Sequence, residues 1–229
     1  MKVAKLKQDR RIERNRYEKS KKVKAYGENN DYPQAIRDIT KASRTAVSCL
    51  NVYAKFIKGA GFSEATLNSL LIGKRKTLFQ LHGQIAADFS EFRGFAVHVN
   101  YNGLLDEIGY TLVPFEQCRL EVDGDKNLTG RIAVHPDWTG VSGKPFKNED
   151  IKYFMPYTGN KADVIAIVKS LGGFDKFEGL LFYYVEDADE YPEATLDPVR
   201  ELMVAQGAAD NVRVRNVKFN YLPSGTTLS

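Results

Sequence analysis

Hydrophobic positions along the chain change period several times, and each change marks an element. Over residues 94–101, Phe95, Val97, Val99 and Tyr101 alternate with Ala96, His98 and Asn100. This is the period-two signature of a half-buried strand, with the valine side inward. Asn102-Gly103 predicts a tight turn at positive φ, and residues 107–113 a returning strand that Pro114 stops. A lone hairpin is marginal, so helices must cover it. After Pro33, apolar and small residues from Ile36 through Ala46, Leu50, Tyr53, Phe56 and Ile57 recur at helical spacing. They predict one helix of about 25 residues ending at Gly59. Cys49 on it is expected to be a small buried hydrophobe. Leu67, Leu70, Leu71 and Ile72 are further core candidates. Residues 77–90 predict a second helix, with Leu78, Leu81, Ile85, Ala86 and Phe89 on one side. Phe89, Phe92 and Phe95 mark its joint with the sheet, where Gly94 turns the backbone.

Downstream, short strands are predicted over 120–122, 129–135, 151–155 and 179–185. Trp138, the single tryptophan, follows one of them and is read as a lid on the core. Residues 139–161 form an irregular surface excursion apart from 151–155. Residues 162–171 fit a helix closed by Gly172-Gly173, with a buried strand as the other reading. Pro198 opens a helix to Gln206. Val212, Val214 and Val217 interleave with Arg213 and Arg215, which predicts a strand entering a loop at the end. The fold class expected is α+β, with a long N-terminal helix and a second helix on a mainly antiparallel sheet.

Charge changes this picture at one end. Net charge over the 229 residues is +4. Residues 1–24 hold 11 lysines and arginines and 3 acids, a net +8, and the other 205 residues carry −4. Apolar residues there are too sparse for a core stripe. The organisation expected is a basic arm over 1–27, its last residues a linker to residue 32, and an α+β domain over 28–229. In the arm, Lys5, Lys7, Arg10, Arg11, Arg14, Arg16, Lys19, Lys21, Lys22 and Lys24 are candidate contacts to nucleic-acid phosphates. A solvated arm, or one laid on an acidic neighbouring subunit, fits the composition equally. No apolar run reaches the length of a membrane span, and the N-terminus is too polar for a signal peptide.

Reactive constellations do not appear in the pattern. His82, His98 and His135 lie on different elements without metal-ligand spacing, and Cys49 and Cys118 form no close pair. Gly59-Ala60-Gly61 follows a helix and lacks the Lys-Ser/Thr of a phosphate loop. Asp123 to Asn127 reads as a turn rather than a calcium loop. Asp187, Asp189 and Glu190 have the chemistry to gather a divalent ion, but an exposed acidic turn is the simpler account. Asp88 and Glu91 flank the helix-to-sheet joint with no basic companion by spacing. No catalytic residue, metal site or cofactor is expected.

One resemblance adds to this. Tyr32-Pro33 precedes a helix ending Tyr53-Ala54-Lys55-Phe56-Ile57-Lys58-Gly59-Ala60-Gly61-Phe62. Residues 94–102 read Gly-Phe-Ala-Val-His-Val-Asn-Tyr-Asn, and residues 113–120 Val-Pro-Phe-Glu-Gln-Cys-Arg-Leu. Arg131-Ile132-Ala133-Val134 leads to Asp137-Trp138, Tyr191-Pro192 to Asp197-Pro198-Val199, and Arg215-Asn216-Val217 to Leu222-Pro223-Ser224-Gly225. Together they resemble the N-terminal region of tailed-phage portal proteins of the type found in Bacteroides-group phages and prophages. The resemblance covers most of residues 32–225, and the hairpin with its Val-Pro-Phe-Glu-x-Cys-Arg return is its most specific part. It implies a portal wing-like fold and a non-enzymatic subunit of an oligomeric ring, typically a dodecamer, at the capsid vertex. It further implies DNA, capsid and terminase proteins as partners, no membrane, and a place in the virion after assembly in the host cytoplasm. Channel-lining and clip elements are implied to lie largely beyond residue 229.

Overall fold

The computed structural model describes residues 17–18, 22–73, 76–106, 108–139, 146–188 and 190–219. The elements are β1 (Tyr17–Glu18), β2 (Val23–Lys24), α1 (Tyr32–Ala42), α2 (Arg44–Lys58), α3 (Ala65–Ser69), α4 (Leu78–Phe92), β3 (Gly94–Tyr101) and β4 (Ile108–Val113). They continue with β5 (Cys118–Val122), β6 (Leu128–Val134), β7 (Lys152–Pro156), α5 (Lys161–Ser170), β8 (Leu180–Val185) and α6 (Arg200–Phe219). One sheet runs in the order β1-β2-β5-β6-β7-β8-β3-β4, antiparallel throughout except between β7 and β8. The architecture is α+β, with N-terminal helices packed on a mostly antiparallel sheet.

Chain length forces this sheet to curl. Five strand spacings separate β4 from β5 in the sheet order, about 24 Å if the sheet were flat. Val113 and Cys118 are joined by only four residues, which reach roughly 17 Å when fully extended. Three of those residues, Phe115–Gln117, are coiled into a 3-10 turn, shortening the reach further. The inner face of the curl holds Ala96, Cys118, Ile132, Phe154 and Leu181. Phe115, on the connecting turn, closes one end with Tyr26, Tyr32, Phe92 and Tyr191. On the outer face, α4 and α5 cover Val97, Val99, Tyr101 and Leu180 through Leu78, Leu81, Ile85 and Val164.

The hairpin pairs Ala96 with Val113 through Tyr101 with Ile108, and Val97 and Val99 are buried as the alternation predicts. Curling changes the rest of the reading: Ala96 is fully buried too, so β3 begins as a strand covered on both faces. The reversal is also not a two-residue turn. It spans 102–107, is closed by Leu105 N–H on Asn102 O, and places positive φ at Leu105 rather than Gly103. At the joint, Arg93 takes the left-handed conformation expected of Gly94. Gly94 is needed for space, since a Cβ there would lie 2.7 Å from the Phe115 ring and 2.9 Å from Tyr184 O.

Four further expectations are corrected. The long helix is two, because Ser43 is extended (φ −103, ψ 110) and caps α2 by accepting from Ala46 N–H at 3.2 Å. The linker before it is a packed corner in which Tyr26, Gly27 and Asn30 are buried. Of the leucines near residue 70, Leu70 and Leu71 are exposed, and Ile72 enters the core instead. The strand expected over 212–221 is helical as far as Phe219, the rest lying outside the described residues. Trp138 is a buried lid, as read, and α4 starts at a Thr77–Gln80 capping box.

Val99→Asp is expected to bury a carboxylate without a partner and to cost several kcal/mol, about 3 or more. Gly94→Ala should also destabilise, by overpacking against Phe115 and the β8 backbone, at about 1–3 kcal/mol. Gly103→Val should melt like the parent, because nothing lies within 4 Å of a Cβ there. Thermal melts of the three variants check this set.

Candidate interaction surface

Behind the surface stands a buried charged node. Arg119 on β5 is fully buried, and all five of its donors find neutral acceptors. Nε donates to Asn30 Oδ1, one terminal nitrogen to Glu116 O at 2.8 Å and Cys118 O at 2.7 Å, the other to Asn30 O at 2.8 Å and Gln34 Oε1 at 3.4 Å. The rings of Tyr26 and Trp138 lie 5.7 and 5.5 Å from the guanidinium carbon. Around it, Tyr191 stacks on Tyr26 at 4.2 Å, donates to Lys24 O and accepts from Leu120 N–H. Burial lowers the Arg119 pKa and pushes the phenols of Tyr26, Tyr32, Tyr183 and Tyr191 above their ordinary range. The node is closed to solvent and serves architecture.

A second charged cluster supplies the companion that Asp88 and Glu91 lack by spacing. Arg37 of α1 reaches Asp88 and Glu91 of α4 at 3.2 and 3.1 Å, and Glu116 of the connecting turn. Asp88 also accepts from Phe115 N–H at 3.1 Å. Burial raises the pKa of Asp88 and Glu91, with Arg37 opposing it. Arg37 lies 51 to 79 residues from these three partners, so local spacing could not disclose the interaction.

The histidines are structural. His98 donates from Nε2 to Glu178 O at 2.7 Å. His135 Nδ1 accepts from Asp137 N–H, with Trp138 and Phe146 against its ring. His82 lies against Phe62. Of the acidic turn, Asp187 and Glu186 both pair with Arg93, and Glu190 with Lys24, while Asp189 lies outside the described residues. No group of three His, Cys, Asp or Glu suited to a metal occurs among the described residues. No described helix is long and apolar enough to cross a membrane.

Of the ten basic candidates in the arm, Lys5, Lys7, Arg10, Arg11, Arg14, Arg16, Lys19 and Lys21 lie outside the described residues. Lys22 is exposed. Lys24 sits on β2, tied into the sheet through the Val23–Glu121 pair and held by Glu190. Val23, Ala25 and Tyr26 are buried, so the end of the arm is part of the body.

What the body presents to solvent is apolar helix. Cys49, Val52, Tyr53 and Phe56 follow one another on α2 at helical spacing, and all are exposed, Val52 at 67% and Phe56 at 83%. The expected burial of Cys49 is therefore reversed. The neighbouring stripe, Ala46 and Leu50, is buried, on a helix packed against α4. Helical periodicity found both stripes, but periodicity alone does not say which one a fold covers. The same helix carries Arg44, Lys55 and Lys58 and no acid. An exposed apolar band of this kind is the sort of surface that marks an interaction site.

Compared with known protein families and with curated proteins, the chain matches none.

Alkaline unfolding tests the buried node. Unfolded tyrosines ionise near pH 10, whereas Tyr26, Tyr32, Tyr183 and Tyr191 hold their protons in the folded state. Stability should be intact below about pH 10 and fall above it by roughly 1.4 kcal/mol per pH unit for each such tyrosine. Fluorescence of Trp138 and tyrosinate absorbance should therefore change together in one steep transition. Arg119→Lys, which cannot supply the planar five-donor fork, should cost about 3–5 kcal/mol. Parent-like stability of that variant would remove the node from its assigned role.

Proposed function

We propose that this chain is a structural subunit, or a piece of one, of a tailed-phage portal ring at the capsid vertex, supporting DNA passage without catalysing a reaction. The observation that carries the reading is the exposed Cys49-Val52-Tyr53-Phe56 band of α2, a surface suited to association. The segments that resemble portals are also the ones on which this body is built. The hairpin is β3–β4, and the Val-Pro-Phe-Glu-x-Cys-Arg return is the connection that curls the sheet and delivers Arg119. On this reading the fold is the wing-like part of a portal. The partners are further copies of the chain, capsid and terminase proteins and DNA, and the location is the virion after assembly in the host cytoplasm.

A second reading rests on the arm: a nucleic-acid-binding module acting through residues 1–24, which hold a net +8. Deleting all of 1–24 would confuse the two, because it removes the buried Val23. Removing residues 1–16 leaves β1 and β2 in place. If the arm is the contact, that truncation abolishes duplex binding, and binding by the full chain falls steeply with salt. If the chain is a ring subunit, native mass spectrometry of the full chain shows closed oligomers that survive the truncation. A strict monomer at high concentration defeats self-assembly of this chain.

A further inference from the structure

We infer that the distal half of α6, residues 211–218, is a docking element by which one copy of the chain holds the next. It rests on the self-association part of the proposed function. The first half of α6 is seated on its own body. Met203 is buried, Gln206 bonds Ser43 at 2.7 Å and Thr45 at 2.6 Å, and a Cβ on Gly207 would lie 3.3 Å from Ala42 O. Met203, Gly207, Asp210, Val214 and Val217 recur at alternating steps of four and three, so they share one face of the helix. Residues 211–218 are all exposed, Val217 at 82%. The stripe that seats α6 on α1 thus runs on for two turns, about 12 Å, and is exposed at Val214 (49%) and Val217 (82%).

This extension is a poor helix on its own. Residues 211–218 read Asn-Val-Arg-Val-Arg-Asn-Val-Lys, with three β-branched valines and two asparagines. So short a helical segment gains most of its stability from tertiary packing. Charge then selects the occupant. Residues 211–229 contain Arg213, Arg215 and Lys218 and no acid, Arg213 lying 3.7 Å from Asp210 one turn back, while residues 25–210 hold 26 acids against 19 lysines and arginines. An apolar stripe edged by cations therefore complements the acidic body of a second copy. It does not complement the α2 band, which is itself edged only by cations.

On that second body the fitting surface is the outer face of β8. Phe182 and Tyr184 are exposed there at 40% and 42%, backed by Phe95 and Phe89. Glu186 and Asp187 stand at the end of this aromatic shelf and, among the described residues, share the single cation Arg93, which leaves one carboxylate charge to attract an incoming Arg or Lys. Helix end on one copy and shelf on the next are different surfaces. The contact is heterologous, and its repetition yields a ring if the rotation closes.

The test uses the full chain and two double variants at exposed positions, Val214→Asp/Val217→Asp and Phe182→Lys/Tyr184→Lys, with melts and Trp138 fluorescence confirming the fold. Sedimentation of the parent should show association that weakens with salt, and each double variant should weaken it roughly tenfold or more. Mixing the two should restore pairs and nothing larger, because one variant keeps an intact shelf and the other an intact helix. Association unchanged in both variants overturns this contact while leaving ring assembly standing. A monomeric parent overturns both. Duplex DNA binding that Arg213→Glu/Arg215→Glu abolishes, with association untouched, makes the segment a nucleic-acid contact and also overturns the inference.

Discussion

The described fold is arranged around a positive charge that has no negative partner in contact with it among the described residues. Burying an ion costs several kcal/mol unless its hydrogen-bonding capacity is fully met. Arg119 meets that demand with backbone and amide oxygens alone, and two aromatic faces supply the remaining favourable field. The acceptors come from places far apart in the chain: the corner before α1, the first turns of α1, and the turn entering β5. Satisfying one guanidinium therefore fixes the N-terminal strand, the first helix and the middle of the sheet relative to one another. Asn30 shows how tightly. Its side-chain oxygen accepts from both Arg119 and Tyr26 N–H, and its backbone holds φ 59, a conformation that asparagine tolerates better than most residues.

The short β4–β5 connection is the mechanical counterpart of that node. Because it is too short to cross a flat sheet, it obliges the strands to curl, and it places Phe115 at the end of the curl and Arg119 just beyond. Asp88 holds the start of this connection through Phe115 N–H, and Arg37 in turn holds Asp88. Desolvation raises the Asp88 pKa despite Arg37, so the folded body binds protons there more readily than the unfolded chain does. Lowering the pH from neutral toward that raised pKa therefore favours the folded state at this site, the reverse of the usual salt-bridged aspartate. The cluster positions its elements at a local electrostatic cost, which burial of Phe92 and Phe115 beside it offsets.

Local order was legible in the sequence, and long-range satisfaction was not. Period-two alternation located β3, the Asn102-Gly103 signal and Pro114 bracketed β4, a continuous apolar run located β8, and helical spacing from residue 77 located α4. Ser43 was equally local, a good N-cap inside a helical pattern, but its neighbours kept the period and masked the break. Leu105 took the positive φ because a six-residue loop, unlike a two-residue turn, makes no demand on Gly103. Valine alternation over 212–217 suggested a strand, yet Val214 and Val217 fall into a helical stripe once it is continued from Met203. Arg119 stood out only as one letter of a motif. Its partners Asn30 and Gln34 are 89 and 85 residues away, and no spacing rule connects them.

Stability and association are thereby written on different residues. The charged node, the curl and the buried tyrosines lie inside, and none reaches the exposed sides of α2, β8 or the far half of α6. Changes at Val52, Phe56 or Val217 remove little that the folded body needs, since those side chains are already more than half in water. A chain selected only to fold would have no reason to keep so much apolar surface on two helices and a strand, because water-exposed valine and phenylalanine add nothing to the folded state and favour aggregation. On the proposed reading another surface covers them. The acid-free composition of α2 and of residues 211–219 then restricts that surface to one bearing negative charge. The interior explains why this chain folds, and on the proposed reading the exposed apolar, cationic helices are the surfaces that a second copy covers.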